Sequence, residues 1–174
     1  MSSNFRKIRK QKSEMDQKQA HWEAVYKKKQ PHEVSWTQSR PAQSLEFIAN
    51  LDLPLDASII DIGGGDSKLV DHLLERGYRD ITVLDISKAA IDRAKNRLGE
   101  KADSVKWIVS AVEDFQPQCQ YDLWHDRATF HFLTRKEQVE AYVEKATKAI
   151  KSFLIVATFS ENGPEKCSGL PIKQ

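Results

Sequence analysis

The chain has 174 residues, 40% of them hydrophobic and 30% charged, with a formal net charge of +2. That length and balance fit one globular domain and give no global signal for a nucleic-acid or membrane partner. Two cysteines, Cys119 and Cys167, are too few for a disulfide framework or a cysteine-bound metal, so no metal is expected and a reducing, cytoplasmic setting is read from them.

In chain order, residues 1–18 are basic and polar and lack the apolar core of a secretory signal. They read as a disordered tail ahead of a domain at 19–174. Their basic character leaves an organellar presequence as the alternative, although Glu14 and Asp16 interrupt it. Residues 19–29 put Trp22, Val25 and Tyr26 on one helical face, and Pro31 stops the pattern. A second helix is predicted over 41–51. Both segments are expected to pack on the sheet and cover a pocket.

From Ser58 onward, strand-like and helix-like runs alternate. Strands are predicted at 58–61, 81–85, 105–109, 121–124 and 153–158. The first helix, about 67–76, is stopped by Gly77. The second is capped by Ser87 and buries Ala90, Ile91, Ala94 and Leu98. The third opens on a capping box from Thr134 to Glu137. This is the pattern of an α/β fold with a Rossmann-like, doubly wound, mainly parallel sheet. The fifth run is almost wholly apolar and is expected to be buried on both faces. After Phe159 the residues are rich in turn formers, and no further strand is predicted. The fifth strand would then present an open edge, available to a second copy of the chain or to the tail after residue 159.

Chemistry concentrates where the first strand meets its helix, in Asp61-Ile-Gly-Gly-Gly-Asp-Ser67. The glycines Gly63, Gly64 and Gly65 let the backbone turn tightly and approach a ligand. Such a turn also serves simply to pack a helix on a strand. Dinucleotide sites place a pyrophosphate here, but the Asp61 carboxylate would repel one and attract the amino group of an amino-acid ligand. Asp85, twenty residues after Gly65, ends the second strand where an acid can accept hydrogen bonds from ribose hydroxyls. Its other reading is an acid that helps cap the helix at Ser87.

These residues resemble the class I S-adenosylmethionine-dependent methyltransferases. His21-Trp-Glu-Ala-Val-Tyr26, Val34-Ser-Trp-Thr-Gln38 and Tyr121-Asp-Leu-Trp-His-Asp-Arg-Ala128 are similar to a branch with a WHDR-type fourth strand, itself similar to thiopurine methyltransferases at that segment. The resemblance implies S-adenosyl-L-methionine as cofactor and a domain that normally closes with an antiparallel strand pair. Asp61, Gly63 and Gly65 would line its methionine part, Asp85 its ribose and Ile86 its adenine; Gly64 is counted with them as cofactor-binding. Trp36 reads either as a lid on the cofactor pocket or as a packing tryptophan. An acid commonly holds the adenine amino group, but Ala111 stands at that position. Glu113 or Asp114 is expected to substitute, the alternative being that backbone contacts hold the adenine.

His125, Asp126 and Arg127 follow the fourth predicted strand, where open parallel sheets put their ligands. The expected roles are general base or cofactor contact for His125, orientation of a nucleophile for Asp126 and binding of an acidic substrate for Arg127. A structural Asp-Arg pair with a hydrogen-bonded histidine is the competing reading. His131, between Phe130 and Phe132, reads as a histidine at the edge of the core. The acceptor is expected to be a small molecule or a protein side chain. The alternatives are a cofactor-binding module without turnover and an NAD-dependent oxidoreductase, the latter opposed by Asp61.

Overall fold

A computed structural model of the chain describes residues 3–34 and 36–173. Met1 and Ser2 of the expected tail, Ser35 of the motif at 34–38, and Gln174 lie outside the described residues. Five parallel strands form the sheet: β1 Ser58–Ile62, β2 Asp80–Asp85, β3 Val105–Val109, β4 Tyr121–Arg127 and β5 Ile150–Ala157, in the order β3-β2-β1-β4-β5. The helices are α1 Ser3–Lys28, α2 Ala42–Ala49, α3 Leu69–Glu75, α4 Lys88–Leu98 and α5 Lys136–Ala149.

Strand periodicity divides the core into two layers. Ile59, Ile81 and Val83 join Leu45 and Ile48 of α2 and Leu69 and Leu73 of α3 on one face. Ile60, Ile62, Leu84 and Trp124 join Tyr142 and Ala146 of α5 on the other. Each buried Val, Leu or Ile among them stabilises the fold by roughly 1.5–3 kcal/mol against exposure. The chain winds outward from β1 to β3 and returns to β4 on the other side of β1. The reversal opens a crevice at the carboxyl ends of β1 and β4, the usual ligand position in such sheets.

Several boundaries differ from the expectations. Disorder was expected over 1–18, but α1 is continuous from Ser3 to Lys28. Glu14 pairs with Arg135, and Lys18 reaches Glu113 at 3.3 Å, so the basic segment has acidic and basic partners on the domain. The capping box at Thr134 lies one residue later: Gln138 accepts the N–H of Arg135 at 3.1 Å. β4 continues through Arg127, so His125, Asp126 and Arg127 lie on the strand rather than after it.

β5 starts at Ile150 and is not buried on both faces. Leu154 is 50% exposed, and Phe153 and Val156 are each 38% exposed. The helices cover this end of the sheet incompletely, and among the described residues no strand pairs beyond β5. Two short strands that the sequence did not reveal, β6 Lys166–Cys167 and β7 Leu170–Pro171, form a separate antiparallel hairpin. Among the described residues no helix is long and apolar enough to cross a membrane.

Candidate functional site

The turn after β1 is shaped by the groups packed onto its glycines. Gly63 and Gly64 both donate to the Leu84 carbonyl, at 2.7 and 3.2 Å. Gly63 and Gly65 hold φ of +66° and +33°, which side chains disfavour. A Cβ on Gly63 would collide with Thr129 Oγ1. One on Gly64 would fall 2.5 Å from Asp61 Oδ2, and one on Gly65 would fall 2.5 Å from Asp85 Oδ2. The glycines therefore make room for two carboxylates that close in from the ends of neighbouring strands.

Those carboxylates sit in different surroundings. Asp61 pairs in register with His125 across β1 and β4, and its Oδ1 lies 2.7 Å from His125 Nδ1. The other ring nitrogen of His125 meets Ser44 Oγ at 2.9 Å. Asp85 accepts the Ser87 N–H at 2.7 Å. Burial, reinforced by the charges of Asp61 and Glu23, pushes Asp85 up to about 7 despite that hydrogen bond. The competing reading of Asp85 as a capping acid is thus half realised: it holds Ser87, while the Ser87 hydroxyl itself caps α4 by accepting from Ala90 N at 3.2 Å.

A pocket opens over this turn. Its walls include Trp36, Asp61, Gly63, Gly64, Asp85, Ile86, Glu113, His125 and Arg127. Gly65, expected at the cofactor, instead makes room for the Asp85 carboxylate and does not line the pocket. Glu113 faces the pocket but is already engaged by Lys18 and by Gln138 Nε2 at 3.0 Å. Ala111 lines the wall near it.

The three residues of the fourth strand separate. Asp126 is fully buried on the far side and is corrected to a structural acid. Its Oδ1 accepts from the N–H groups of Thr129 and Phe130, at 2.9 and 3.1 Å, and its Oδ2 accepts from the Tyr142 hydroxyl at 2.8 Å. Burial raises it to about 6, with those three donors opposing the rise. His125 is 1% exposed and its two ring nitrogens are engaged by Asp61 and Ser44, so neither is open to an acceptor molecule in the pocket. Arg127 stays at the pocket, where it donates to Gln38 Oε1 at 2.7 Å and to the Trp36 carbonyl at 3.4 Å. His131 is buried, stacked with Phe159, and lowered to about 4 by desolvation, in keeping with a core-edge histidine.

The helix expected over 19–29 does cover the pocket with Trp22 and Tyr26 of its apolar face, and Lys18, one residue before that segment, joins them. Lys18, Trp22 and Tyr26 form one wall, and Trp22 stands edge-on to Trp36 and Phe132 at 5.7 and 5.3 Å. Glu23 anchors the helix by accepting from Ser87 Oγ at 2.7 Å and from Ala89 N at 3.0 Å. The spacing of Lys18, Trp22 and Tyr26, four residues apart, was the available signal. Ser44 and Thr129, in contrast, gave no signal.

Residues 59–152 match the family described as "Methyltransferase domain". The chain is 24% identical over 157 residues to EEF1A lysine methyltransferase 2 of Mus musculus, covering 79% of this chain and 64% of that protein. It is 31% identical over 106 residues to the malonyl-[acyl-carrier protein] O-methyltransferase of Anoxybacillus flavithermus, covering 60% and 39%. The chain thus spans less than two thirds of the length of these relatives. Among solved structures, the glycopeptide N-methyltransferase MtfA complexed with S-adenosyl-L-homocysteine superposes with a TM-score of 0.57 at 12% identity, over 66% of this chain and 50% of that one. Phosphoethanolamine N-methyltransferase 1 of Haemonchus contortus superposes at 0.65 and 16% identity, over 82% and 31%. At these identities the structures speak for the fold.

Proposed function

Since the chain belongs to the methyltransferase-domain family over residues 59–152, we propose that it transfers a methyl group from S-adenosylmethionine to a small molecule or a protein side chain. The observation that carries this reading is the pair of buried carboxylates, Asp61 and Asp85, lodged against a glycine cradle at the ends of adjacent strands. Two acids facing one pocket suit a cationic ligand with hydroxyl donors and oppose a pyrophosphate. Neither the module without turnover nor the NAD-dependent reading gains support from the relatives.

In this reading Asp61 accepts hydrogen bonds from the ammonium end of the cofactor and Asp85 from its ribose. Ile86 and the aromatic wall of Trp22 and Trp36 pack its apolar parts. When bound, the cofactor supplies a methyl group already activated on a sulfonium. The chain's own residues therefore have to align the acceptor and exclude water, which can be worth about 7–11 kcal/mol in favourable cases. Arg127, held at the rim by Gln38, is placed to meet an acidic group on the acceptor. The similarity of residues 121–128 to thiopurine methyltransferases, and the pairing of a second copy along β5, belong to the same proposal. Calorimetric titration with S-adenosylhomocysteine tests it. Saturable binding that Asp85→Ala abolishes is expected, and absence of heat and of thermal stabilisation at millimolar ligand would overturn it.

A further inference from the structure

Ser44 lies in the first turn of α2, outside the pocket wall and outside the family-matched segment, yet it is only 4% exposed. Its hydroxyl ends a buried series of bonds, Ser44 Oγ to His125 Nε2 at 2.9 Å and His125 Nδ1 to Asp61 Oδ1 at 2.7 Å. The directions follow from the donors present. A carboxylate only accepts, so His125 Nδ1 carries the proton that faces Asp61. In the neutral ring Nε2 is then an acceptor, and the Ser44 hydroxyl donates to it. A free aspartate turns easily about its last torsion. Here one oxygen is held from behind, while the other, Oδ2, lies in the space over Gly64 that any side chain there would fill.

We propose that Ser44 and His125 are positioning residues that fix the rotamer of Asp61, so that Asp61 Oδ2 is presented to the amino group of the cofactor's amino-acid end. The proposal rests on the reading of Asp61 as the contact for S-adenosylmethionine. It makes α2 part of the cofactor site although no atom of Ser44 reaches the pocket. It also explains why the histidine of the fourth strand is buried and doubly bonded rather than free for proton transfer.

Two ligands separate positioning from general damage. S-Adenosylhomocysteine carries the amino-acid end, whereas 5′-methylthioadenosine keeps the adenosine and thioether and lacks it. In calorimetric titrations of the full chain, Ser44→Ala is expected to weaken S-adenosylhomocysteine about tenfold, the loss of one hydrogen bond to a charged network. Binding of 5′-methylthioadenosine should stay within about twofold. His125→Leu should lose more for the first ligand, and His125→Asn, whose amide can take the place of Nδ1–H, should recover most of it. An equal loss for both ligands, or folded variants with unchanged affinity for S-adenosylhomocysteine, overturns the proposal. If His125→Leu fails to fold, Ser44→Ala decides alone. Failure of the unmutated chain to bind S-adenosylhomocysteine is a different result: it overturns the cofactor reading, and the positioning role with it.

Discussion

Asp85 is an acid whose folded environment favours its protonated form. Its carboxyl titrates near 7 in the fold against about 3.8 when unfolded, so between those values the folded chain holds more protons than the unfolded one. The contribution of this group to the stability of the ligand-free protein therefore falls as pH rises from about 4 to about 7. Asp85→Asn removes the penalty and is expected to melt several degrees higher than the unmutated chain at pH 8, with little difference at pH 4. Thermal melts at the two pH values check this. On the proposed ribose contact, whose hydroxyls donate to ionised Asp85, binding of S-adenosylhomocysteine should release protons near pH 6, seen as a dependence of the heat on buffer ionisation enthalpy. Asp126 is shifted the same way by burial, to about 6, but more donors oppose the shift: Tyr142, Thr129 and Phe130 all hydrogen-bond to it. Tyr142→Phe removes a hydroxyl that serves both Asp126 Oδ2 and Trp124 Nε1, each at 2.8 Å. A loss of about 2–4 kcal/mol in urea unfolding is expected. Asp61 and Asp85 were legible because each stands at a strand end with a glycine turn between them. Asp126 was misread because its sequence neighbours do not reveal which face of β4 turns inward once the strand runs three residues further than its apolar run.

α1 shows how an element is stabilised by contacts that its own sequence does not advertise. It is polar on most of its surface and would be marginal alone. Its hold on the domain comes from Glu23 at the start of α4, from Lys18 at Glu113 and from Arg93, which donates to the Lys29 carbonyl at 2.6 Å just beyond the helix. Glu23→Ala leaves the Ala89 N–H and the Ser87 hydroxyl without their partner. It is expected to cost about 1 kcal/mol and to speed amide exchange over residues 12–28 while leaving β1 and β4 protected. Hydrogen-exchange mass spectrometry reads both. Composition pointed to disorder over residues 1–18 because charge and polarity dominate them, whereas the compensating groups Glu113 and Arg135 are 95 and 121 residues away from Lys18 and Glu14. Such long-range pairing is invisible to a local pattern.

At the scale of the molecule, the parallel order β3-β2-β1-β4-β5 was legible from alternating strand and helix runs, because each run buries its own period against the sheet. The exposure of β5 was not: five apolar residues in a row read as buried, yet burial depends on what covers the strand. With Leu154 half exposed on an open edge, the unmutated chain is expected to self-associate with rising concentration, and Leu154→Lys to hold it monomeric. Light scattering coupled to size exclusion measures the difference, and identical masses for the two proteins would dispose of pairing along β5.

The placement of the four tryptophans gives the molecule an optical division of labour. Trp22 and Trp36 face the pocket, Trp124 is sealed in the core, and Trp107 is half-buried on β3 under the Lys95 ammonium. Emission from the first two should respond to a ligand seated against them while the signal of Trp124 stays constant until the sheet itself comes apart. Intrinsic fluorescence can then distinguish occupancy of the site from loss of the fold without any added label, and Trp22→Phe should silence most of the first signal while sparing the second.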